Sequence, residues 1–217
     1  LLVAASAALL LTPGFSQDWV LDESLVGDAS GDQFGFTQIS MGDLNEDGFD
    51  DFLVTAFTAD INDINSGAFY LISGGTGGSR LNQGNPVSGD GLRSMLGYSC
   101  VLLGEHENPD TGNSDGIMKF AVAAPFDSTD FPWGGKVTIY RYNAATDLVE
   151  ELVEISGLGP GEAFGAGLGT LDHDGDGYME LAIGAVGANS LAGEVHLLNC
   201  YWNSASFEAE FIQTIGG

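Results

Sequence analysis

The stretch that decides the fold is GDLNEDGFDDFLVTA, residues 42–56, in which a loop dense in acidic residues runs directly into an apolar segment. Oxygen-bearing side chains alternate along the loop, and a glycine follows them where the chain must turn sharply. The loop contains five carboxylates and no basic residue. Because like charges this close repel one another, the pattern predicts that the loop binds a cation.

The same pattern recurs twice further along the chain. TLDHDGDGYMELAIGA, residues 170–185, matches it position for position, and TGNSDGIMKFAVAAP, residues 111–125, is a degenerate copy. Each copy is preceded by Phe-Gly or Leu-Gly and followed by a small-residue turn and an alternating segment. The chain therefore consists of three copies of a unit of roughly 60 to 70 residues. We predict units at 17–88, 89–157 and 158–217.

Turn signals divide each unit into about four strands, and no segment has a convincing helical period. In the third unit we expect strands near 163–171, 179–186, 192–199 and 206–214. The second strand is apolar on both faces, as expected where sheets cover both of its sides. Four-stranded antiparallel units in series are typical of β-propeller blades. We predict an all-β, partial propeller of three blades, with further blades of the same parent chain as neighbours, because closed propellers have ~4 to 8.

The alternating oxygens predict calcium as the cation, because Ca²⁺ takes about 6 to 8 oxygen ligands. Side chains at loop positions 1, 3, 5 and 9 and the carbonyl at position 7 would supply them. Two loops have the full set, so we predict two Ca²⁺ sites. The first uses Asp43, Asn45, Asp47, the carbonyl of Phe49, and Asp51; the second uses Asp172, Asp174, Asp176, the carbonyl of Tyr178, and Glu180. The alternative for either loop is an acidic surface turn without metal.

Neighbouring residues limit this interpretation. Glu46, Asp50 and His173 occupy positions that point away from the ion, so we interpret them as surface residues. Position 12 is Val54 in one loop and Ile183 in the other, each within a strand-like run, which argues against a helix-flanked calcium loop.

The middle copy lacks the acids that would hold calcium. Thr111 replaces the first acid and Lys119 the last, while Asn113 and Asp115 remain. We predict that Lys119 donates to Asp115 and Asn113 and takes the place of the ion. The alternative is a register that uses Asp110 through a one-residue bulge.

Charge and composition exclude several functions. The 217 residues include 31 acidic and 5 basic side chains, a net charge of −26, which disfavours nucleic acids and anionic membranes as partners. Cys100 and Cys200 lie in apolar stretches and are expected to be buried free thiols rather than a disulfide. The apolar run within residues 1–16 is too short to span a bilayer. These residues resemble a secretory signal peptide clipped at its front. The alternative is a buried first strand.

No residue has the context of a catalytic group, so no enzymatic activity is predicted. His106 lies in a polar loop, and His196 alternates with apolar residues on what we interpret as an exposed strand face. Trp133 is interpreted as an anchor for its own loop, with a sugar-stacking surface as the alternative.

These motifs together resemble the FG-GAP repeats of integrin α-subunit heads and of many secreted or surface proteins. The FG pair is present at residues 34–35 and 164–165 and becomes Leu-Gly at 96–97, and the GAP element is degenerate. The resemblance implies a secreted or cell-surface propeller whose Ca²⁺ ions stiffen hairpins at one face of the blades. We expect a structural calcium module that binds a protein or glycan. The alternative is an accessory or catalytic domain of a secreted polysaccharide-acting enzyme, which would need convergent acid, base or nucleophile residues.

Overall fold

The structure of the protein is a computed structural model that describes residues 24–75, 78–108, 112–203 and 206–217. The predicted signal peptide, residues 1–16, and positions Asp110 and Thr111 of the middle loop lie outside these residues. The described chain forms three four-stranded antiparallel sheets, one after another along the sequence, plus a two-stranded hairpin. The predicted all-β fold of propeller blades is confirmed.

Within each large sheet the strands lie side by side in chain order. The first sheet contains β1 (Gln38–Gly42), β2 (Asp51–Ala56), β3 (Ala68–Ile72) and β4 (Val87–Ser88). The second contains β5 (Ser99–Gly104), β8 (Lys119–Ala124), β9 (Lys136–Asn143) and β10 (Leu148–Ser156). The third contains β11 (Phe164–Leu171), β12 (Glu180–Ala185), β13 (Glu194–Trp202) and β14 (Phe207–Gly216), close to the strands predicted for this unit.

Three short elements lie between these strands. The hairpin of β6 (Glu107–Asn108) and β7 (Asn113–Ser114) is inserted between β5 and β8. One-turn helical segments occupy Asn82–Gly84 and Ala188–Leu191, and both contain residues with positive φ. No helix among the described residues has the length and apolar character needed to cross a membrane.

The sheets pack face to face through their inner strands. Strand β8 is buried along its whole length and contributes to two cores. Phe120 and Val122 pack with Phe69 of the first sheet, while Ala121 and Ala123 pack with Phe164 of the third. Because successive side chains of a strand point to opposite faces, a strand between two sheets must be apolar at every position. This explains the continuous apolar run after each acidic loop.

In two of the three Phe-Gly or Leu-Gly pairs, at residues 96–97 and 164–165, the glycine permits the close approach of neighbouring sheets. Gly97 and Gly165 have φ of 92° and 93°, a region that side chains disfavour. A Cβ on Gly165 would lie 2.7 Å from Cβ of Ala123 and 2.9 Å from Cγ2 of Val137, both in the second sheet. A Cβ on Gly97 would meet the first sheet in the same way, 2.9 Å from Cβ of Thr55. At these two positions the glycine therefore serves packing between blades, whereas a Cβ on Gly35 would meet only the Gln38 side chain, at 3.9 Å.

Candidate metal sites

Each acidic loop connects the first and second large-sheet strands of its unit. Acidic loop 1, residues 43–51, joins β1 to β2, and acidic loop 3, residues 172–180, joins β11 to β12. The degenerate copy, loop 2, residues 111–119, leads into β8. In an antiparallel sheet whose strands follow chain order, these loops lie at one end and the loops between second and third strands lie at the other.

Acidic loop 1 is folded around its own side chains. The Oδ2 atom of Asp43 accepts a hydrogen bond from Gly48 N at 2.8 Å. The Oδ1 atom of Asn45 accepts one from Asp47 N at 3.0 Å, and the Oδ1 atom of Asp47 accepts one from Phe49 N at 2.9 Å. The Phe49 N–H, with help from Asn45 and Ser73, holds the pKa of the Asp47 carboxyl below its ordinary value, so this exposed group is ionised.

Acidic loop 3 repeats these bonds at the same positions. Asp172 Oδ2 accepts from Gly177 N at 3.2 Å, Asp174 Oδ1 from Asp176 N at 3.1 Å, and Asp176 Oδ1 from Tyr178 N at 2.8 Å. Carboxylate oxygens of the three aspartates lie within 4.8 Å of one another, and all three residues are exposed. We call Asp172, Asp174 and Asp176 the carboxylate triad.

The donor set of the triad fits calcium. Three carboxylates that converge without a basic partner in the loop suit a hard divalent cation that takes only oxygen ligands. The Tyr178 carbonyl is the further predicted donor. In acidic loop 1 the middle position is Asn45, so that loop offers two exposed carboxylates, Asp43 and Asp47, and one amide oxygen. Glu46, Asp50 and His173 are exposed, as the sequence predicted.

The residues at position 9 are buried, unlike the others. Asp51 accepts hydrogen bonds from Leu44 N at 2.8 Å, Asn45 N at 3.3 Å and Gly74 N at 2.8 Å. Glu180 accepts one from His173 N and lies outside the carboxylate triad. Both carboxylates therefore attach their loop to the sheet, a role that the sequence did not reveal.

Loop 2 contains the ion pair that the sequence predicted. Lys119 is fully buried, and its Nζ donates to Asp115 and to the carbonyl of Ile117. Burial alone would raise the pKa of Asp115, but Lys119, Ile117 N–H and the Trp202 indole N–H hold it below its ordinary value. Burial lowers the pKa of Lys119, and Asp115 opposes this shift. Donation from Lys119 to Asn113 stays a prediction.

Sequence patterns did not identify two residues that complete these loops. Trp202, at the end of β13 in the third sheet, donates its indole N–H to Asp115 at 2.8 Å. Ser73, which follows β3, lies within hydrogen-bond distance of Asn45 and Asp47. Both contacts join residues far apart in the chain, so no local spacing could reveal them.

The two histidines near strands are buried, and the interpretation of His196 as exposed is wrong. His196 occupies the face that Tyr70 and Thr138 occupy in the other units, with Nδ1 3.0 Å from Thr214 Oγ1. Its neighbour Val195 is the exposed residue. His106 is enclosed between the rings of Tyr178 and Phe207, and burial, followed by the charge of Lys119, lowers its pKa.

A cavity of about 580 Å³ lies at the opposite end of the blades from the acidic loops. Its lining includes Leu92 and Arg93 before the second sheet and Phe126 and Trp133 from the loop between β8 and β9. Trp133 is 65% exposed, so its interpretation as a loop anchor is wrong. Its backbone N–H is held by Ser128 Oγ at 3.0 Å, and the residue lines the cavity.

Both cysteines are free thiols, as the sequence predicted; Cys200 is buried as expected, whereas Cys100 is only partly buried. Burial raises the pKa of Cys100 and of Cys200 to about 12. Neither group is ionised near neutral pH, so both serve as small apolar core residues.

No protein-family model matches the chain. The chain is 30% identical to integrin alpha-7 of Homo sapiens over 190 residues, which are 83% of this chain and 14% of that protein. It is 31% identical to integrin alpha-3 of Cricetulus griseus over 186 residues, 83% of this chain and 17% of that protein. Integrin alpha-PS2 of Drosophila melanogaster matches at 26% over 184 residues, 77% and 12% respectively.

The chain thus spans less than a fifth of the length of these curated relatives. The similarity extends over most of this chain. The chain is integrin α-like and is built from FG-GAP-type repeats.

Proposed function

We propose that the chain is an extracellular calcium-binding propeller module of a secreted or cell-surface protein, and that it binds a protein or glycan partner. Calcium has a structural role in the hairpins of the first and third blades. The observation that carries the proposal is the exposed carboxylate triad, together with the repetition of its hydrogen bonds in acidic loop 1.

The chain's own residues would hold the ions in two sets. Positions 1, 3, 5 and 7 supply oxygens from the exposed face of each loop, and Asp51 and Glu180 at position 9 complete the sets from the sheet side. When bound, each Ca²⁺ adds two positive charges to a cluster that otherwise repels itself, and it cross-links the two strands that the loop joins. Two ions would offset four of the 26 net negative charges.

Loop 2 supports this assignment because it lacks calcium ligands and contains a different cation. It is the copy that has lost its first and last acids, and there a buried ammonium group, Lys119, neutralises Asp115. Loop 2 therefore contains a cation of its own where calcium ligands are missing. We infer that acidic loops 1 and 3, which contain no lysine or arginine, take their cation from solution.

Partner binding is assigned to the end of the blades opposite the acidic loops. The 580 Å³ cavity there has mainly apolar walls and an exposed indole, Trp133. Concave apolar sites with a few polar groups are typical of ligand-binding surfaces. Structural metal loops at one end leave the other end available for contact.

Calorimetric titration of the full chain with Ca²⁺ tests the proposal. We expect two sites, and thermal unfolding at a higher temperature in calcium than in chelator, because an ion that binds only the folded state stabilises it. Asp47→Ala and Asp176→Ala should each remove one site. Asp50→Ala, an exposed acid at position 8, is the matched control and should keep both.

Two results would overturn parts of the proposal. Two ions retained by both Asp47→Ala and Asp176→Ala would show that the ligands are misassigned. Unfolding that is insensitive to chelator, with no heat of binding, would remove calcium from the function.

A further inference from the structure

Position 9 of each loop begins the second strand of its sheet and therefore faces a residue of the third strand. The observed register between the second and third strands pairs Lys119 with Arg141. In the other two blades the register is continued by one residue beyond the last observed pair to reach position 9. The three pairs are Asp51 with Ser73, Lys119 with Arg141, and Glu180 with Asn199. We call Ser73, Arg141 and Asn199 the opposing residues.

In the first blade the opposing residue organises the loop. Ser73 is 6% exposed, and its Oγ donates to Asp47 Oδ2 at 3.0 Å and accepts from Asn45 Nδ2 at 3.1 Å. Because the amide nitrogen of Asn45 is turned towards Ser73, its oxygen is turned the other way, into the loop, where it accepts Asp47 N. One hydroxyl thus orients the side chains at positions 3 and 5.

In the third blade the opposing residue is also neutral and also lies beside the loop. Asn199 lines a cavity of about 220 Å³ together with Asp176 and Tyr178, which are positions 5 and 7 of acidic loop 3. Its side chain carries an amide oxygen and an amide nitrogen, the same combination of acceptor and donor that a serine hydroxyl offers.

In the second blade the opposing residue is a cation. The guanidinium of Arg141 is 2.7 Å from Glu150, and its charge contributes to the lowered pKa of Lys119. Arg141 also borders acidic loop 1, with Asp43 and Glu46, across a polar cavity. A divalent ion in loop 2 would meet two positive side chains at the base of the loop, Lys119 and Arg141, and would be repelled by both.

We propose that the opposing residue contributes to which loops hold calcium: Ser73 and Asn199 orient the ligands of acidic loops 1 and 3, and Arg141 adds to the exclusion of divalent ions from loop 2 by Lys119. Ser73 is a positioning residue that acts through Asn45 and Asp47. The inference rests on the proposed calcium function. Outer hydrogen-bond partners of metal ligands typically contribute 10- to 100-fold to metal affinity.

The test uses the full chain with Asp176→Ala, so that a single calorimetric isotherm reports acidic loop 1. Ser73→Ala should weaken Ca²⁺ binding about 10-fold or more. Ser73→Asn, which copies the third blade, should restore most of the affinity, and Ser73→Arg, which copies the second, should abolish binding. Ser94→Ala is the matched control, since Ser94 is also buried and its Oγ donates to the carbonyls of Ser66 and Gly91 rather than to a loop side chain.

Failure of this inference is distinguishable from failure of the calcium function. If the Asp176→Ala chain binds no Ca²⁺, the calcium assignment of acidic loop 1 is wrong. If it binds one ion, and Ser73→Ala binds as tightly as Ser94→Ala, the positioning role is wrong. Denaturant unfolding in chelator distinguishes a loss of Ca²⁺ affinity from a loss of folding stability. Without calcium, Ser73→Ala and Ser73→Asn should unfold at nearly the same denaturant concentration.

Discussion

Replacing Lys119 with methionine removes the buried cation of loop 2 while keeping a side chain of similar length. Lys119 is fully buried, and its partner Asp115 is 7% exposed at the side chain. The variant leaves Asp115 enclosed without its ammonium partner. Arg141, on the neighbouring strand β9, does not replace that charge because it already pairs with Glu150.

The expected loss in the free energy of unfolding is about 3 kcal/mol. Breaking a buried ion pair by removing one partner typically costs ~3–5 kcal/mol. Asp115 keeps hydrogen bonds from Trp202 Nε1 at 2.8 Å and Ile117 N at 3.1 Å, so the loss should lie at the lower limit. For a chain of this size, where 1 kcal/mol shifts the melting temperature by ~2–4 °C, this corresponds to about 6–12 °C.

Urea unfolding of the full chain, in calcium and in chelator, measures this loss. It should be the same in both conditions, because loop 2 carries its own cation. Arg80→Met is the control, since Arg80 and Asp28 are 29% and 52% exposed and such pairs contribute about 1 kcal/mol or less. A loss for Lys119→Met no larger than for Arg80→Met would refute the reasoning.

The pH dependence of the same variant has a definite sign. Because the pKa of Asp115 is lowered in the folded protein, the ionised carboxylate contributes stability at pH above its unfolded pKa of 3.8, and this is lost as pH falls through the folded pKa. The difference in unfolding free energy between the parent chain and Lys119→Met should therefore shrink as the pH falls below 3.8. A difference that stays constant down to pH 2 would contradict the ion-pair account.

Three further predictions concern the packing around the loops. Trp202→Phe removes the N–H that bonds Asp115 and should lower the unfolding free energy by about 1–3 kcal/mol in urea. Gly165→Ala should destabilise the chain by about 1–3 kcal/mol more than Gly161→Ala, because both have positive φ but only at Gly165 would the new Cβ meet a neighbouring side chain, at 2.7 Å. The Cys200 thiol should resist iodoacetamide at pH 8 until the chain unfolds, since burial raises its pKa to about 12; modification at the rate of a free thiol would contradict its burial.

The parts of the fold that depend on short spacings were predictable from the sequence. Alternation and turn residues gave the four strands of each unit, and the ion pair of Lys119 with Asp115 joins residues four positions apart. The alternate spacing of acids along acidic loop 3 likewise predicted that Asp172, Asp174 and Asp176 lie close together. In each case the geometry of one loop or one strand decides which atoms meet.

Contacts between residues far apart in the chain were not predictable in this way. Trp202 reaches Asp115 from a different blade. Ser73, which follows β3, reaches Asp47 within the first blade. The burial of His196 depends on which face of β13 is covered, and alternation cannot distinguish the two faces when both carry apolar residues. These positions are fixed by pairing and packing between distant segments of the chain, which a local pattern does not encode.

The position of the second blade between two others explains why its loop differs. Asp115 and Lys119 are covered by Trp202 and Phe207 of the third sheet, so a cation there is closed off from solvent. An ion from solvent would have to pass the side chains of Trp202 and Phe207 to reach this position. A lysine side chain is part of the chain and is enclosed there as the protein folds. Acidic loop 3 and the exposed side of acidic loop 1 have no such cover over Asp172, Asp174, Asp176, Asp43 and Asp47. Calcium dependence should therefore be confined to the outer two blades described here, with the central blade stable without it.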